Sequence, residues 1–158
     1  MSVKEIKQVV EGRSKFNVSK NTKVREYGDI IFDSVLEMRY YKEYVLPKIS
    51  TGEIISCCMQ VPYELQPKFY YNGIVQRAII YKADFELTYK NGKKEVIDIK
   101  GFADATAKLK RKLFYFKYPL VNYKWICYSK IDGGWCEYDY VQKARAERKK
   151  EKKANEKK

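Results

Sequence analysis

Residues 78–101 read AIIYKADFELTYKNGKKEVIDIKG. β-forming residues dominate from Ala78 to Tyr89, Asn91-Gly92 is a turn pair, and Glu95–Lys100 returns, so the stretch predicts a β-hairpin. Asp84 is an unexpected acid in the first strand. Asp98 and Lys100 are two apart in the second, so both leave one face while Ile99 enters the other. Two carboxylates and an ammonium converging at a sheet edge suit a hard divalent cation with a positive charge beside it. Lys100 would orient or help deprotonate an attacking water, or neutralise charge building on a phosphate. Asp-x-Lys alone is an ordinary pattern of an exposed strand face. Two features favour a site: Gly101 and a lysine-loaded helix follow at once, and Asp84 has no role in a β-forming run.

Register sets a condition on this reading. Opposed residues of an antiparallel pair share a face, and their numbers sum to a constant. A two-residue turn at Asn91-Gly92 sums to about 183 and puts Asp84 on the wrong face from Asp98. A three-residue loop through Lys93 sums to about 184, setting Asp84 opposite Lys100, diagonal to Asp98, and Glu86 opposite Asp98 as a reserve ligand. The site therefore requires a three-residue loop or a bulge.

Upstream, Val24–Phe32 reads as a short hairpin about Tyr27-Gly28-Asp29. A helix follows from an N-cap at Ser34, with Leu36, Tyr40 and Tyr44 as its apolar stripe and Pro47 and Gly52 closing it. Glu37 is open to two readings. Ser34-x-x-Glu37 is a capping box, and the same position places a carboxylate where it can reach a neighbouring strand end. Pro62 and Pro67 interrupt the β-formers of 53–69, which predicts edge or bulged strands. Downstream, a helix is expected over Asp104–Lys117, with Leu109, Leu113 and Phe116 inward and Lys108, Lys110, Arg111 and Lys112 around the rest. A last hairpin pairs Tyr123–Cys127 with a strand from Trp135 to Val141. The order predicts an α/β domain, a mixed central sheet flanked by helices.

The chain has 158 residues, a net charge of +13 and no histidine. The missing histidine excludes Ser-His-Asp hydrolysis, Cys-His nucleophiles and histidine-liganded zinc within this sequence. Nine Lys/Arg against three Glu lie in 143–158, and seven against three acids in 1–27, which leaves a nearly balanced body. Basic ends on such a body fit a polyanion. The last segment lacks the apolar residues of a membrane-surface helix, so nucleic acid is the expected partner. The division expected is a flexible basic arm over 1–22, a folded domain over 23–141 and a basic tail over 142–158. No apolar run spans a bilayer and the N-terminus shows no secretory segment, which suggests a reducing compartment. Cys57, Cys58, Cys127 and Cys136 then read as small hydrophobes in or near the core, with Cys57 and Cys58 on opposite faces.

Five motifs in order resemble a known family: Phe32-Asp33-Ser34-x-x-Glu37, Glu64-Leu65-Gln66-Pro67-Lys68-Phe69, Tyr81–Phe85, Asp98–Phe102 and Lys108–Phe114. This set, spanning about Lys20 to Tyr118, resembles the phage and prophage endodeoxyribonucleases of the PD-(D/E)xK superfamily described as Holliday-junction-resolvase-like. The signature proline is replaced by Ala83. The resemblance implies a restriction-endonuclease-like core. In it Asp84 and Asp98, with Ile99 and Glu37, would hold Mg²⁺ or Mn²⁺, and Glu37, Asp84, Asp98 and Lys100 would be catalytic. It implies cleavage of branched DNA to 5′-phosphate and 3′-hydroxyl ends by a homodimer in a bacterial host cytoplasm. Lys108, Lys110, Arg111, Lys112, Arg77, Lys20 and Lys23 would bind DNA. The alternatives are a nicking or transposase-end nuclease of the same fold, and a non-catalytic nucleic-acid-binding protein that keeps it.

Overall fold

The computed structural model describes residues 22–156. Lys20 and most of the expected arm lie outside them. A 3-10 turn (Thr22–Arg25) leads into the short hairpin of β1 (Glu26–Tyr27) and β2 (Ile30–Ile31). Helix α1 (Val35–Tyr40) starts where expected, with Ser34 extended and its side chain accepting the Glu37 N–H at 3.1 Å. The helix does not stop at Pro47. Tyr41–Val45 widen into a π turn, and α2 (Leu46–Ser50) restarts with Pro47 in its first turn, where an amide hydrogen is not needed.

The main sheet has five strands in the order β3 (Ile54–Gln66), β6 (Ile79–Tyr89), β7 (Lys94–Ile99), β8 (Tyr123–Ser129) and β9 (Gly134–Glu137). Neighbours are antiparallel except β7 and β8, which run parallel because α3 (Ala105–Lys117) crosses between them. This mixed sheet with helices is the expected α/β class. Pro62 lies inside β3, which is tolerated because β3 is an edge strand, and its register shifts at Ile54/Ser56 and Glu64/Gln66. The ribbon β4 (Phe69–Tyr71) and β5 (Ile74–Gln76) forms a separate two-stranded sheet.

Two cores fill the molecule. One joins α1, the π turn and α2 to the sheet through Phe32, Tyr40, Tyr41, Val45, Phe85 and Leu87. The other joins α3 and α4 (Tyr138–Asn155) to it through Phe114, Tyr123, Trp125, Tyr138 and Val141. Adjacent Val96 and Ile97 belong to different cores, so the cores lie on opposite faces of β7. β3 and β6 change sides. Cys57, Met59, Phe85 and Leu87 pack in the first core, but Tyr63, Leu65, Tyr81 and Ala83 pack in the second. A regular pleat would keep these odd-numbered residues on one face. The switch falls between the pairs Met59–Phe85 and Val61–Ala83, at the level of Gln60 and Asp84. Gln60 there takes φ 54, a conformation costly for a residue with a Cβ.

Two helical expectations change. On α3, Phe114 is buried, whereas Leu109 and Phe116 are exposed and Leu113 is half-buried. The sheet side of α3 holds Arg111, whose guanidinium lies 4.4 Å from the Trp125 ring centroid. The stacking cation rotates the helix away from its expected apolar stripe. The final strand ends at Glu137, and the expected tail is helix α4, because Tyr138 and Val141, one turn apart, are both buried. Arg148 of α4 also donates to Asp132 at 2.7 and 3.0 Å. Cys57 and Cys127 are buried as expected and Cys136 is half-buried, but Cys58, on the other face of an edge strand, is exposed. Among the described residues no helix is long and apolar enough to cross a membrane.

Candidate active site

The hairpin of β6 and β7 closes one residue earlier than expected. Its loop is Lys90-Asn91-Gly92, with the Tyr89 N–H donating to Lys93 O at 2.8 Å and Gly92 at φ 81. The pairs Phe85–Ile97, Glu86–Val96, Leu87–Glu95 and Thr88–Lys94 follow. Continued by one step, this register sets Asp84 directly opposite Asp98, not opposite Lys100. It also removes Glu86 as a reserve ligand: Glu86 faces Val96 and accepts from the Tyr63 hydroxyl. The loop is three residues long, as the site requires, and the two aspartates are closer partners than expected.

Beyond Phe85 the side chain of Asp84 replaces the ladder. Its Oδ2 accepts the Ile99 N–H at 2.6 Å, which fixes the carboxylate beside the Asp98 strand. Asp98 is 2% exposed. Its Oδ2 lies 2.6 Å from Lys100 Nζ as an ion pair, yet no donor meets that buried oxygen in hydrogen-bond geometry. Lys100 is itself anchored by its backbone N–H, which donates to Ile126 O at 2.7 Å. Ile99 enters the other face and packs in the first core, as expected.

Glu37 comes to the site from the first turn of α1. Its two readings coexist, because Ser34 accepts the Glu37 N–H while the Ser34 hydroxyl donates to Glu37 Oε1 at 2.7 Å. Burial pushes the Glu37 carboxyl up to about 7 against the Ser34 bond, and the charges of Asp33 and Asp98 push the same way. Burial likewise raises Asp84 well above the ordinary carboxylate range, assisted by Asp98 and Glu37 and opposed by the Ile99 N–H. Burial would lower Lys100, but Asp98 first and then Asp84 and Glu37 hold it above its ordinary value. Three acids and one lysine thus share one electrostatic site, with negative charge in excess.

Aromatic side chains close one side. Trp125 pairs with Asp98 across the parallel β7–β8 ladder, and Lys100 Nζ lies 5.5 Å from its ring centroid. The Tyr123 hydroxyl donates to the Tyr81 hydroxyl at 2.6 Å. Burial raises both phenols, with Asp98 the next cause for each. Trp125 and Tyr123 carry no motif, and only the parallel pairing of β7 and β8, a long-range fact, brings them to the acids.

Beside the site, α3 presents Lys108 and Lys112 to solvent along a shallow depression shared with Arg111, Tyr115 and Asp139. Arg111 is engaged there: it donates to Asp139 through both terminal nitrogens and stacks on Trp125. Lys110 donates to Ile80 O at 3.3 Å. Arg77 is exposed after β5, and Lys23 sits in the first 3-10 turn.

With this geometry in view, one family model matches residues 13–132, under the description "Protein of unknown function (DUF1064)". The chain belongs to that family. The matched span holds Glu37, Asp84, Asp98, Lys100 and all of α3, and ends before β9 and α4. No curated protein and no solved structure matches the chain. For this DUF1064 protein the function is therefore argued from its own site.

Cation binding can be tested against these residues. Among the described residues no group of three or more acids and cysteines forms a ready metal cage. What they offer is a facing pair, Asp84 and Asp98, with Glu37 within electrostatic reach and one buried Asp98 oxygen lacking a hydrogen bond. An all-oxygen set with few protein ligands fits a small hard cation that keeps part of its water shell.

Proposed function

We propose that this DUF1064 protein is a metal-dependent DNA endonuclease with a restriction-endonuclease-like core of the PD-(D/E)xK kind, acting on branched DNA as a homodimer. The observation that carries the reading is the convergence of Asp84, held on β7 by the Ile99 N–H, with the buried Asp98–Lys100 ion pair next to it. A contrast on the same strand supports it. Glu95 is also buried, but it is met by the Tyr89 hydroxyl, Asn122, Lys93 and Lys124. Four groups meet that acid, whereas the Asp98 carboxylate is paired with Lys100.

Asp84, Asp98, the Ile99 carbonyl and Glu37 would hold Mg²⁺ or Mn²⁺. Such an ion supplies Lewis-acid polarisation of a phosphodiester and a water ionised near neutral pH. The chain's own groups do the rest. The Ile99 N–H keeps Asp84 oriented toward β7. Lys100 holds a proton and a positive charge beside the place where phosphate charge would grow. Glu37, whose carboxyl is raised by burial in the metal-free chain, is held in place by the Ser34 hydroxyl. The exposed Lys108 and Lys112 would bind the DNA backbone.

A second reading draws on the Lys100–Asp98 pair itself, which could be purely structural in a non-catalytic nucleic-acid-binding protein. One experiment separates the two. Four-way-junction, duplex and single-stranded DNA are incubated with the protein and Mg²⁺ or EDTA, beside Asp98→Ala and Lys100→Ala. Junction cleavage requiring metal and lost in both variants is the expected result. Cleavage persisting in EDTA or in Asp98→Ala overturns the mechanism, and binding without cleavage favours the second reading.

A further inference from the structure

The β4–β5 ribbon has no role in either core. It pairs only with itself, yet Tyr70, Tyr71 and Ile74 are 67%, 65% and 65% exposed, and Phe69 and Val75 are exposed as well. Its turn is stiff. Asn72 and Gly73 both have positive φ, 49 and 75, the arrangement that matches strand twist in a two-residue hairpin. Isolated two-stranded ribbons are marginal in water, and grouped exposed apolar residues mark interaction surfaces.

Charge identifies the occupant. Residues 67–82 contain Lys68, Arg77 and Lys82 and no acid. The register Phe69–Gln76, Tyr70–Val75 continues to set Lys68 opposite Arg77, on the face of Tyr70. Lys68 Nζ lies 5.8 Å from the Tyr70 ring centroid. A tyrosine beside two cations suits a base that stacks while its phosphates are held. A second copy would bring the same cations and no acid, so ribbon-to-ribbon pairing is electrostatically opposed. The strand after the ribbon is β6 itself, and Arg77 lies about 23 Å along the chain from Asp84.

We propose that this ribbon is a nucleic-acid contact, with Tyr70 stacking on an unpaired base and Lys68 and Arg77, on the same face, holding the adjoining phosphates. It selects DNA that has unstacked nucleotides near the scissile bond, and it rests on the nuclease reading only for the word scissile.

The test uses the full chain in EDTA, so that binding is read without cleavage. Fluorescence anisotropy with a labelled oligo-dT and a labelled linear duplex compares wild type with Tyr70→Ala and with Lys68→Gln/Arg77→Gln. Far-UV circular dichroism checks that each variant is folded. The tyrosine variant is expected to lose at least about ten-fold in oligo-dT affinity and much less on duplex. The cation variant is expected to flatten the salt dependence. Oligo-dT affinity equal to wild type in both variants overturns the ribbon proposal alone. So does a wild-type dimer that the tyrosine variant converts to monomer with oligo-dT binding intact. A wild type that binds neither probe overturns the ribbon proposal and leaves the nuclease reading to the cleavage assay. Ribbon-dependent binding without metal-dependent cleavage leaves the ribbon standing and removes the nuclease.

Discussion

Asp84 Oδ2 accepts the Ile99 N–H of β7, one residue beyond Asp98, at the level where β6 changes the side of the sheet it covers. The two facts are connected. A carboxylate in a regular strand interior would be buried against the core. At the switch, Asp84 can turn its oxygens to the Ile99 N–H instead of packing. Gln60 marks the same level on β3 with its left-handed backbone, so the irregularity runs through two strands.

If Asp84 and Asp98 hold a cation, ligand binding must stabilise the folded chain. Saturating Mn²⁺, at about a hundred times its dissociation constant, contributes roughly 2–3 kcal/mol, several degrees of melting temperature. Wild type is expected to show this rise by differential scanning fluorimetry, and Asp98→Asn to lose it. In the cleavage assay the same variant should fall by at least about a hundred-fold. A melting temperature indifferent to Mn²⁺ and Mg²⁺ in wild type would count against any cation at Asp98.

Glu37 gives a pH test with a definite sign. Its folded value near 7 lies above the unfolded value of about 4.3, so the native state disfavours the ionised form. The stability tied to this group is fully present below about pH 4 and is lost as pH rises through 7. Glu37→Gln keeps an oxygen for the Ser34 hydroxyl and removes the titration. In metal-free urea titrations the variant is expected to gain on wild type between pH 5 and pH 8, by roughly 2 kcal/mol. Parallel stability curves for the two proteins across that range would refute the shift.

Glu95 should behave in the opposite way. Its burial alone would raise it, but Lys93, Tyr89 and Lys124 together hold it down to about 2. Its contribution is present above about pH 4.3 and is lost as pH falls toward 2. Glu95→Gln is expected to lower stability at pH 7 by roughly 2 kcal/mol, with the difference from wild type shrinking by pH 2–3. The Mn²⁺ response should survive, because Glu95 lies on the other face of β7. Loss of that response in a folded Glu95→Gln would merge the two acids into one site.

Local signals in the sequence were reliable where the deciding chemistry was local. Asn91-Gly92 announced the hairpin, Ser34 and Asp104 cap their helices, and Pro62 announced an edge strand. The loop lies one residue earlier than the sequence predicts, and the register two residues away, because Gly92, not Lys93, takes the left-handed position that ends the loop. No local cue shows this, although the need for an even register sum was legible. The orientation of α3 was not legible, because it depends on Arg111 reaching Trp125 and Asp139, which only the parallel pairing and α4 bring near. The same long-range dependence hid Trp125 and Tyr123 from the candidate site.

The segment after Glu137 offers the sharpest contrast between composition and structure. Its lysines and glutamates suit a solvated tail, yet they are also good helix formers, and Tyr138 and Val141 give the helix a buried side. Val141 is fully buried in the core that holds Trp125 and Phe114. Val141→Ala is therefore expected to cost roughly 1–3 kcal/mol in urea denaturation, and Val141→Asp to cost more. Arg148→Ala, which removes a bidentate partner from the largely buried Asp132 side chain at the β8–β9 turn and leaves it the Ser129 hydroxyl, is expected to be destabilising as well, by less than Val141→Asp. A solvated tail would tolerate all three changes alike. Unaltered stability in Val141→Asp would therefore remove α4 from the fold and return 142–158 to a free basic arm.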